Sequence, residues 1–329
     1  MSNDPFVSYA QNHEDVVLAR ALRPDASCGF WIDVGAGDPV VDSVTAAFAE
    51  RGWRGINIEP LWAEYERLCE ARPRDTNLNV AVGAKPGNGT LFTGPPENRG
   101  SSTLVAELAE RYEAGGQTFE PVDIEITTLA DIVAEHAPES VDFLKIDVEG
   151  SELAVLEGAD WSSFRPRIVV IEATEPNTTR STHREWESIL LDNSYRIALF
   201  DGLNRFYARA EEPDLLDALA VPAHVLDNFA PYLWAHQLTE VTATARREAD
   251  RADIAFDQVS QLRDDLEAAQ RLTAQALDAL GGAARDAARV RAEVDKLTAE
   301  HAALLNTRLY RFTRPIRRLY GRLRGRPSA

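Results

Sequence analysis

Two short segments place acidic side chains next to glycines in a pattern that could bind a cationic ligand. In the first segment, Asp33 and Asp38 flank Gly35 and Gly37 directly after a short apolar run. Glycines at such a turn let backbone N–H groups approach a phosphate, but neighbouring carboxylates would repel one. Glu59 ends the next apolar run, and an acid at this spacing can accept both hydroxyls of an adenosine ribose. The turn therefore favours an adenosine ligand with positive charge.

S-adenosylmethionine is such a ligand, because its sulfonium and ammonium groups are attracted to carboxylates. We expect Asp33 near the methionine end, Gly35 and Gly37 at the floor of the site, and Glu59 at the ribose. A nicotinamide dinucleotide fits less well, since Val40 stands where the G-x-G-x-x-G pattern has its third glycine. A nicotinamide-dependent Rossmann oxidoreductase is the first alternative.

The second segment, LKIDVEGSE, crowds three acids into six residues after another apolar run. Like charges at this spacing repel each other unless a cation, hydrogen bonds or raised pKa values relieve them, which makes Asp147 and Glu149 functional candidates. Glu152 is expected in the first turn of the next helix, where an acid interacts favourably with the helix dipole. Lys145 is expected to pair with a neighbouring acid.

The elements that position these residues alternate between strands and helices from about residue 30 to 210, which predicts an α/β fold. Strands are predicted at Phe30–Val34, Gly55–Glu59, Asn79–Val82, Val141–Asp147 and Arg167–Glu172, with an additional strand at Val122–Thr127 before a helix at Leu129–His136. Tyr195–Phe200 and Leu203–Ala208 are joined by Asp201-Gly202, which predicts an antiparallel terminal hairpin.

The sequence past Trp234 changes in composition to Ala, Arg, Asp, Glu and Leu. A heptad seam predicts a coiled coil that continues across Gly281-Gly282, or else one solvated helix. Its positions are Val259, Leu262, Leu266, Ala269, Thr273, Ala276, Leu280, Ala283, Ala287, Val290, Val294, Leu297, His301 and Leu304. We therefore expect three regions: a domain at 1–235, a long helix at 236–307 that could form a homo-oligomer through 245–304, and a tail at 308–329.

The tail differs sharply from the rest of the chain, although the whole chain has a formal net charge of −18. It contains eight arginines and no acid, and its apolar residues share one helical face, which is typical of an anchor for anionic lipid. A disordered arginine tail is the alternative. The acidic remainder argues against nucleic-acid binding. Two cysteines and no secretory signal favour a cytoplasmic protein, held at the inner face of the membrane by the tail.

The chain resembles the FkbM family of methyltransferases over roughly residues 6–230. The resemblance is carried by SYAQNHEDVVL (8–18), FWIDVGAGDPVVDSVTAAFAERGWRGINIEP (30–60), DFLKIDVEGSELAVLEG (142–158), IEATEPN (171–177) and FDGLNRFYA (200–208). It implies a class I, Rossmann-like fold: a doubly wound, mostly parallel seven-stranded sheet. It also implies methyl transfer from S-adenosylmethionine to a hydroxyl of a glycan or natural product. Gln11, Glu14 and Asp15 would close over the cofactor, or form the first turn of a covering helix.

The acceptor site is similar to that of the metal-dependent macrolide-sugar O-methyltransferases. By this resemblance Asp147 and Glu172 would be ligands of Mg²⁺ and Glu149 the base, although Ala173 follows Glu172 where further ligands are found in those enzymes. His183, in the loop after the fifth strand, is another candidate base. We thus expect an O-methyltransferase for a sugar acceptor, or a scaffold in which a degenerate methyltransferase domain supports the coiled coil.

Overall fold

The computed structural model describes residues 5–25, 28–95, 100–175, 178–279 and 284–305. The chain divides into two units, and the boundary falls between Leu233 and Trp234.

A seven-stranded sheet forms the centre of the first unit. Its strands, in spatial order, are β10 (Tyr195–Phe200), β11 (Asn204–Arg209), β9 (Ile168–Glu172), β8 (Phe143–Ile146), β2 (Phe30–Val34), β3 (Arg54–Ile58) and β4 (Thr76–Leu78). The pairings from β9 to β4 are parallel, whereas β11 is antiparallel to both β9 and β10. The α/β class and the terminal hairpin are confirmed. The prediction of a mostly parallel sheet is corrected to a mixed sheet, because the hairpin contributes two antiparallel pairings.

A separate three-stranded sheet contains β5 (Ala81–Val82), β6 (Gly87–Thr93) and β7 (Glu120–Thr127), in the order β5-β7-β6. The additional strand at Val122–Thr127 is thereby confirmed as part of β7. The single strand predicted at Asn79–Val82 is wrong, because the chain leaves the central sheet after Leu78. The Asn79 side-chain amide donates to the carbonyl oxygens of Glu59 and Pro60, each at 2.9 Å, which fixes this change of direction.

Successive side chains along each strand point to opposite faces of the central sheet, so apolar residues lie on both faces. Helices cover both of these faces. Ile32 and Val34 of β2 belong to one core cluster and Trp31 to the other. The helices are α1 (Glu14–Leu22), α2 (Ala46–Glu50), α3 (Trp62–Ala71), α4 (Ala106–Ala114), α5 (Leu129–His136), α6 (Glu152–Glu157), α7 (Glu187–Asp192) and α8 (Pro213–Leu219). The short strands β1 (Phe6–Ser8) and β12 (Phe229–Pro231) pair in parallel with each other.

The described part of the second unit is helical. It contains α9 (Tyr232–Ala279), except for the first two residues of that helix, and α10 (Ala284–Leu305). At the seam positions whose side chains are described, the predicted seam follows the less exposed side of both helices, with Val259 and Thr273 buried. A coiled coil between chains stays a prediction, and Gly281-Gly282 and the tail at 308–329 lie outside the described residues. Within the described residues, no helix combines the length and hydropathy needed to span a bilayer.

Candidate functional site

The glycine turn lies between β2 and the carboxyl end of β3. Gly35 has φ of +79°, and a Cβ at this position would overlap the backbone carbonyl oxygen of Asp147. Only glycine fits here without strain. The Glu59 carboxylate accepts from the backbone N–H of Gly37 at 2.9 Å and from that of Leu61 at 2.8 Å. Burial raises the pKa of Glu59 to about 7. Glu59 is thus held beside the turn, as its predicted role requires.

Asp33 is buried and does not line the cavity described below, and its proximity to a bound methionine group stays a prediction. Its Oδ1 lies 3.4 Å from Lys145 Nζ. Lys145 also donates to the Gly35 carbonyl oxygen at 3.0 Å and lies 3.4 Å from Asp147 Oδ2. Lys145 therefore connects the glycine turn to the second acidic segment.

Lys145 keeps its charge in this buried position. Burial lowers the pKa of its ammonium, but the charges of Asp33, Asp147 and Glu14 outweigh that effect and hold the pKa above its ordinary value. The sequence predicts that Lys145 pairs with a neighbouring acid, but it does not predict the hydrogen bond to Gly35. The pair with Asp147 has a local signal, because residues two apart lie on the same side of an extended segment.

A cluster of three carboxylates lies at the carboxyl ends of β8 and β9. Asp147, Glu149 and Glu172 each offer an oxygen, and these atoms lie within 4.8 Å of one another. Glu149 Oε2 and Glu172 Oε2 are buried with no hydrogen-bond partner among the described residues. Burial, and then the charge of Asp147, raise the pKa of both glutamates. The structure thus brings the three predicted acids together in a strongly acidic site.

The backbone at Glu149 adds strain to this cluster. Its φ is +52°, a backbone conformation that residues other than glycine adopt at a cost of roughly 1 kcal/mol or more. Thr103 Oγ1 donates to the Glu149 carbonyl oxygen at 2.7 Å and holds this conformation. Glu152, by contrast, begins α6 and accepts from the Gly150 N–H at 3.1 Å, in agreement with its structural assignment.

The segment before α1 covers one side of the site. Gln11 and Glu14 line the cavity, whereas Asp15 does not. The Asp15 carboxylate accepts from Ser8 Oγ and from the Tyr9 N–H, both at 2.7 Å. The Asp15 oxygens thus hold the N-terminal segment itself, which favours the alternative that Asp15 belongs to the first turn of a covering helix; a role of Asp15 at the cofactor stays a prediction.

His183 lies outside the cavity, in a 3-10 turn at His183–Glu185. Its Nδ1 contacts Ser181 Oγ at 2.5 Å, and its Nε2 is 3.8 Å from Glu187 Oε2. Both ring nitrogens face neighbours in the surrounding structure, and a role of His183 as a base stays a prediction. A position in the loop after β9 did not determine which way the ring points.

One cavity of about 1170 Å³ joins the glycine turn to the carboxylate cluster. Eight acidic side chains line it, against two basic ones: Glu14, Asp38, Asp42, Glu59, Glu64, Asp147, Glu149 and Glu172, with Arg67 and Lys145. Both basic side chains are already in ion pairs. Such a cavity attracts cations and repels anions. Gly100, Ser101 and Ser102 also line the cavity, and residues 96–99 before them lie outside the described residues.

The comparisons with known proteins agree with this architecture. Residues 33–197 match the model of the Methyltransferase FkbM domain, so the chain belongs to the FkbM methyltransferase domain family. It is also similar to the protein named Methyltransferase sdnD of Sordaria araneosa, with 34% identity over 124 residues. That similarity covers 34% of this chain and 46% of that protein, so the chain spans less than half of the length of the curated relative.

Proposed function

We propose that this protein is an S-adenosylmethionine-dependent O-methyltransferase that methylates a sugar hydroxyl of a glycan, a glycolipid or a glycosylated natural product. The observation that carries the proposal is the continuous acidic cavity, which has a ribose-type site at Glu59 and a carboxylate cluster at the other end. Membership of the FkbM family supports methyl transfer.

The donor end suits a ligand without phosphate. S-adenosylmethionine supplies the methyl group on a sulfonium, whose positive charge is complementary to the acidic wall. The turn at Gly35 and Gly37 leaves room for close backbone approach. Glu59 accepts the ribose hydroxyls, because its carboxylate is already oriented by two backbone N–H groups. A pyrophosphate would meet Asp38 and Glu64 with no unpaired cation among the described cavity residues.

The acceptor end must remove a hydroxyl proton while that oxygen faces the methyl group. We assign Glu149 as the base that accepts this proton. The positive charge of bound S-adenosylmethionine lowers the pKa values of the carboxylate cluster. Glu149 is therefore ionised for this step. The products are the methyl ether and S-adenosylhomocysteine.

A divalent cation fits the same cluster. Carboxylate oxygens are the ligands that Mg²⁺ prefers, and the two buried oxygens of Glu149 and Glu172 lack other partners. Asp147 and Glu172 would hold Mg²⁺, which would supply charge stabilisation to the deprotonated acceptor. The residues present therefore fit the metal, although the cluster offers only three protein carboxylates.

The surroundings of the reaction are also proposed. The arginine-rich tail at 308–329 would hold the protein at an anionic membrane surface on the cytoplasmic side, and the seam at 245–304 would join copies of the chain. Deletion of residues 306–329 is expected to release the protein from anionic vesicles without loss of activity on a soluble acceptor. Unchanged vesicle binding would contradict the anchor.

The test of the proposed function is transfer of a labelled methyl group to soluble sugar acceptors. Glu149→Gln is expected to lower kcat by about 10²- to 10⁴-fold, the usual contribution of a general base. Glu135→Gln, at an exposed position on α5, is the matched control and should leave kcat unchanged. Parental activity in Glu149→Gln, with cofactor binding intact, would remove Glu149 from the mechanism. Mass spectrometry of glycans from cells with and without the gene would identify the acceptor.

A further inference from the structure

Asn204 makes a long-range contact that connects the terminal hairpin to the N-terminal segment. Its side chain is 4% exposed, and its Nδ2 donates to Glu14 Oε1 at 2.6 Å. Asn204 begins β11, where it lies opposite Glu172 in the antiparallel register. The hydrogen bond therefore joins the wall of the cavity at β9 to the segment that covers the cavity.

The position of Asn204 is itself fixed. The backbone N–H groups of Leu203 and Asn204 donate to Asp201 Oδ1 at 2.8 and 2.6 Å, and the Ala173 N–H donates to the Leu203 carbonyl oxygen at 2.9 Å. The tight turn and the adjacent strand thus hold the Asn204 amide in place. A short bond from a fixed donor restricts the acceptor, which here is Glu14.

Glu14 is the residue through which the covering segment would be oriented. Its Oε2 accepts from the Asn12 N–H at 3.0 Å within the segment, while Oε1 accepts from Asn204. Gln11 and Glu14 both line the cavity, and the charge of Glu14 raises the pKa of Lys145 beside the glycine turn. Glu14 therefore lines the cavity within electrostatic reach of Lys145 on β8.

We infer that Asn204 is a positioning residue for donor binding: its hydrogen bond holds the Glu14 carboxylate toward the ammonium end of S-adenosylmethionine. This inference rests on the proposed function, because it assumes that the ribose lies at Glu59. Three strands separate β3 from β11, so the amino-acid part of the donor, rather than the adenosine, extends toward Glu14. The hairpin thus contributes to the cofactor site as well as completing the sheet.

Two probes separate this role from a general structural one. S-adenosylhomocysteine contains the amino-acid part, and 5′-methylthioadenosine lacks it. Asn204→Ala is expected to weaken S-adenosylhomocysteine binding at least tenfold and 5′-methylthioadenosine binding less than twofold. Asn193→Ala is the matched control, because this asparagine donates to the Ile189 carbonyl oxygen and does not line the cavity. It should change neither affinity. Equal losses for both ligands in Asn204→Ala would overturn the inference.

Hydrogen–deuterium exchange tests the bond without any ligand. Backbone amides of residues 9–15 should exchange several-fold faster in Asn204→Ala and, at pH 8, in Asn204→Asp, where two carboxylates meet. The double variant Asn204→Asp, Glu14→Gln should return to parental exchange, since the glutamine amide can donate to the new aspartate. Unchanged exchange in Asn204→Ala would overturn the inference. If the unaltered protein bound no S-adenosylhomocysteine, the proposed function would fail. The exchange rates would still test the hydrogen bond between Asn204 and Glu14 separately.

Discussion

Replacement of Glu172 by glutamine should stabilise the metal-free protein, and more so at high pH. Glu172 is 8% exposed, and its Oε2 has no hydrogen-bond partner among the described residues. Burial and the nearby charge of Asp147 raise its pKa above the ordinary value of 4.5. A carboxyl group with a raised pKa contributes its full stability below pH 4.5, and that contribution is lost as the pH rises through the folded-state pKa.

The size of the effect follows from this linkage. At pH 8 the pH lies about 3.5 units above the ordinary pKa, and about 1.36 kcal/mol per unit sets a ceiling near 4.8 kcal/mol. At pH 5 the same calculation gives a ceiling of about 0.7 kcal/mol. Water entry and relaxation around the site reduce the difference to about 2 kcal/mol. Glu172→Gln should therefore gain about 2 kcal/mol in the free energy of unfolding at pH 8, relative to its effect at pH 5.

The assay is urea unfolding followed by tryptophan fluorescence, with EDTA present to remove divalent cations. Trp161 and Trp186 lie in the same core cluster as Ile146 and Ile171 of β8 and β9, so their fluorescence reports this region. Glu135→Gln, whose carboxylate is exposed, should change the free energy by less than about 0.5 kcal/mol at either pH. An equal effect of Glu172→Gln at both pH values, or a loss of stability at pH 8, would refute the reasoning.

Three further results are expected. In the unaltered protein, the affinity for S-adenosylhomocysteine should rise from pH 6 to pH 8, because the Glu59 carboxylate, with a pKa of about 7, ionises in this range. Glu59→Gln should weaken this binding and reduce its pH dependence. A parental affinity that does not change with pH would contradict this. Gly35→Ala should abolish cofactor binding in a calorimetric titration, because its Cβ overlaps backbone, while the control Gly87→Ala, which meets no atom within 4 Å and does not line the cavity, should leave binding unchanged. His183→Ala should keep kcat within about threefold, since the ring lies outside the cavity; a loss of about a hundredfold or more would instead support His183 as the base.

The elements predicted best are those with continuous apolar runs bounded by turn residues. Phe30–Val34 was predicted with its observed bounds, because a strand buried on both faces has a strong local signal. The strand β6 was missed, since Gly87–Thr93 contains two glycines and few apolar residues and pairs along its length with β7. Its formation depends on tertiary pairing that local composition does not encode.

The candidate site shows the same division between local and tertiary information. The strand-end positions of Glu59, Asp147 and Glu172 follow from the order of strands in an α/β sheet, and the structure places all three on one cavity. Asp33 could have been placed behind the turn, because Lys145 on the adjacent strand offered it a partner. The Asn204–Glu14 bond spans 190 residues, and no local pattern reveals it.

The central claim is that the acidic cavity binds a cationic adenosine methyl donor. The most direct measurement is a calorimetric titration of the purified protein with S-adenosylmethionine and S-adenosylhomocysteine, with NAD and NADH as comparators. We predict saturable binding of both sulfur ligands at one site per chain and no binding of either dinucleotide. Saturable binding of NAD or NADH, together with no detectable heat from either sulfur ligand, would contradict the account.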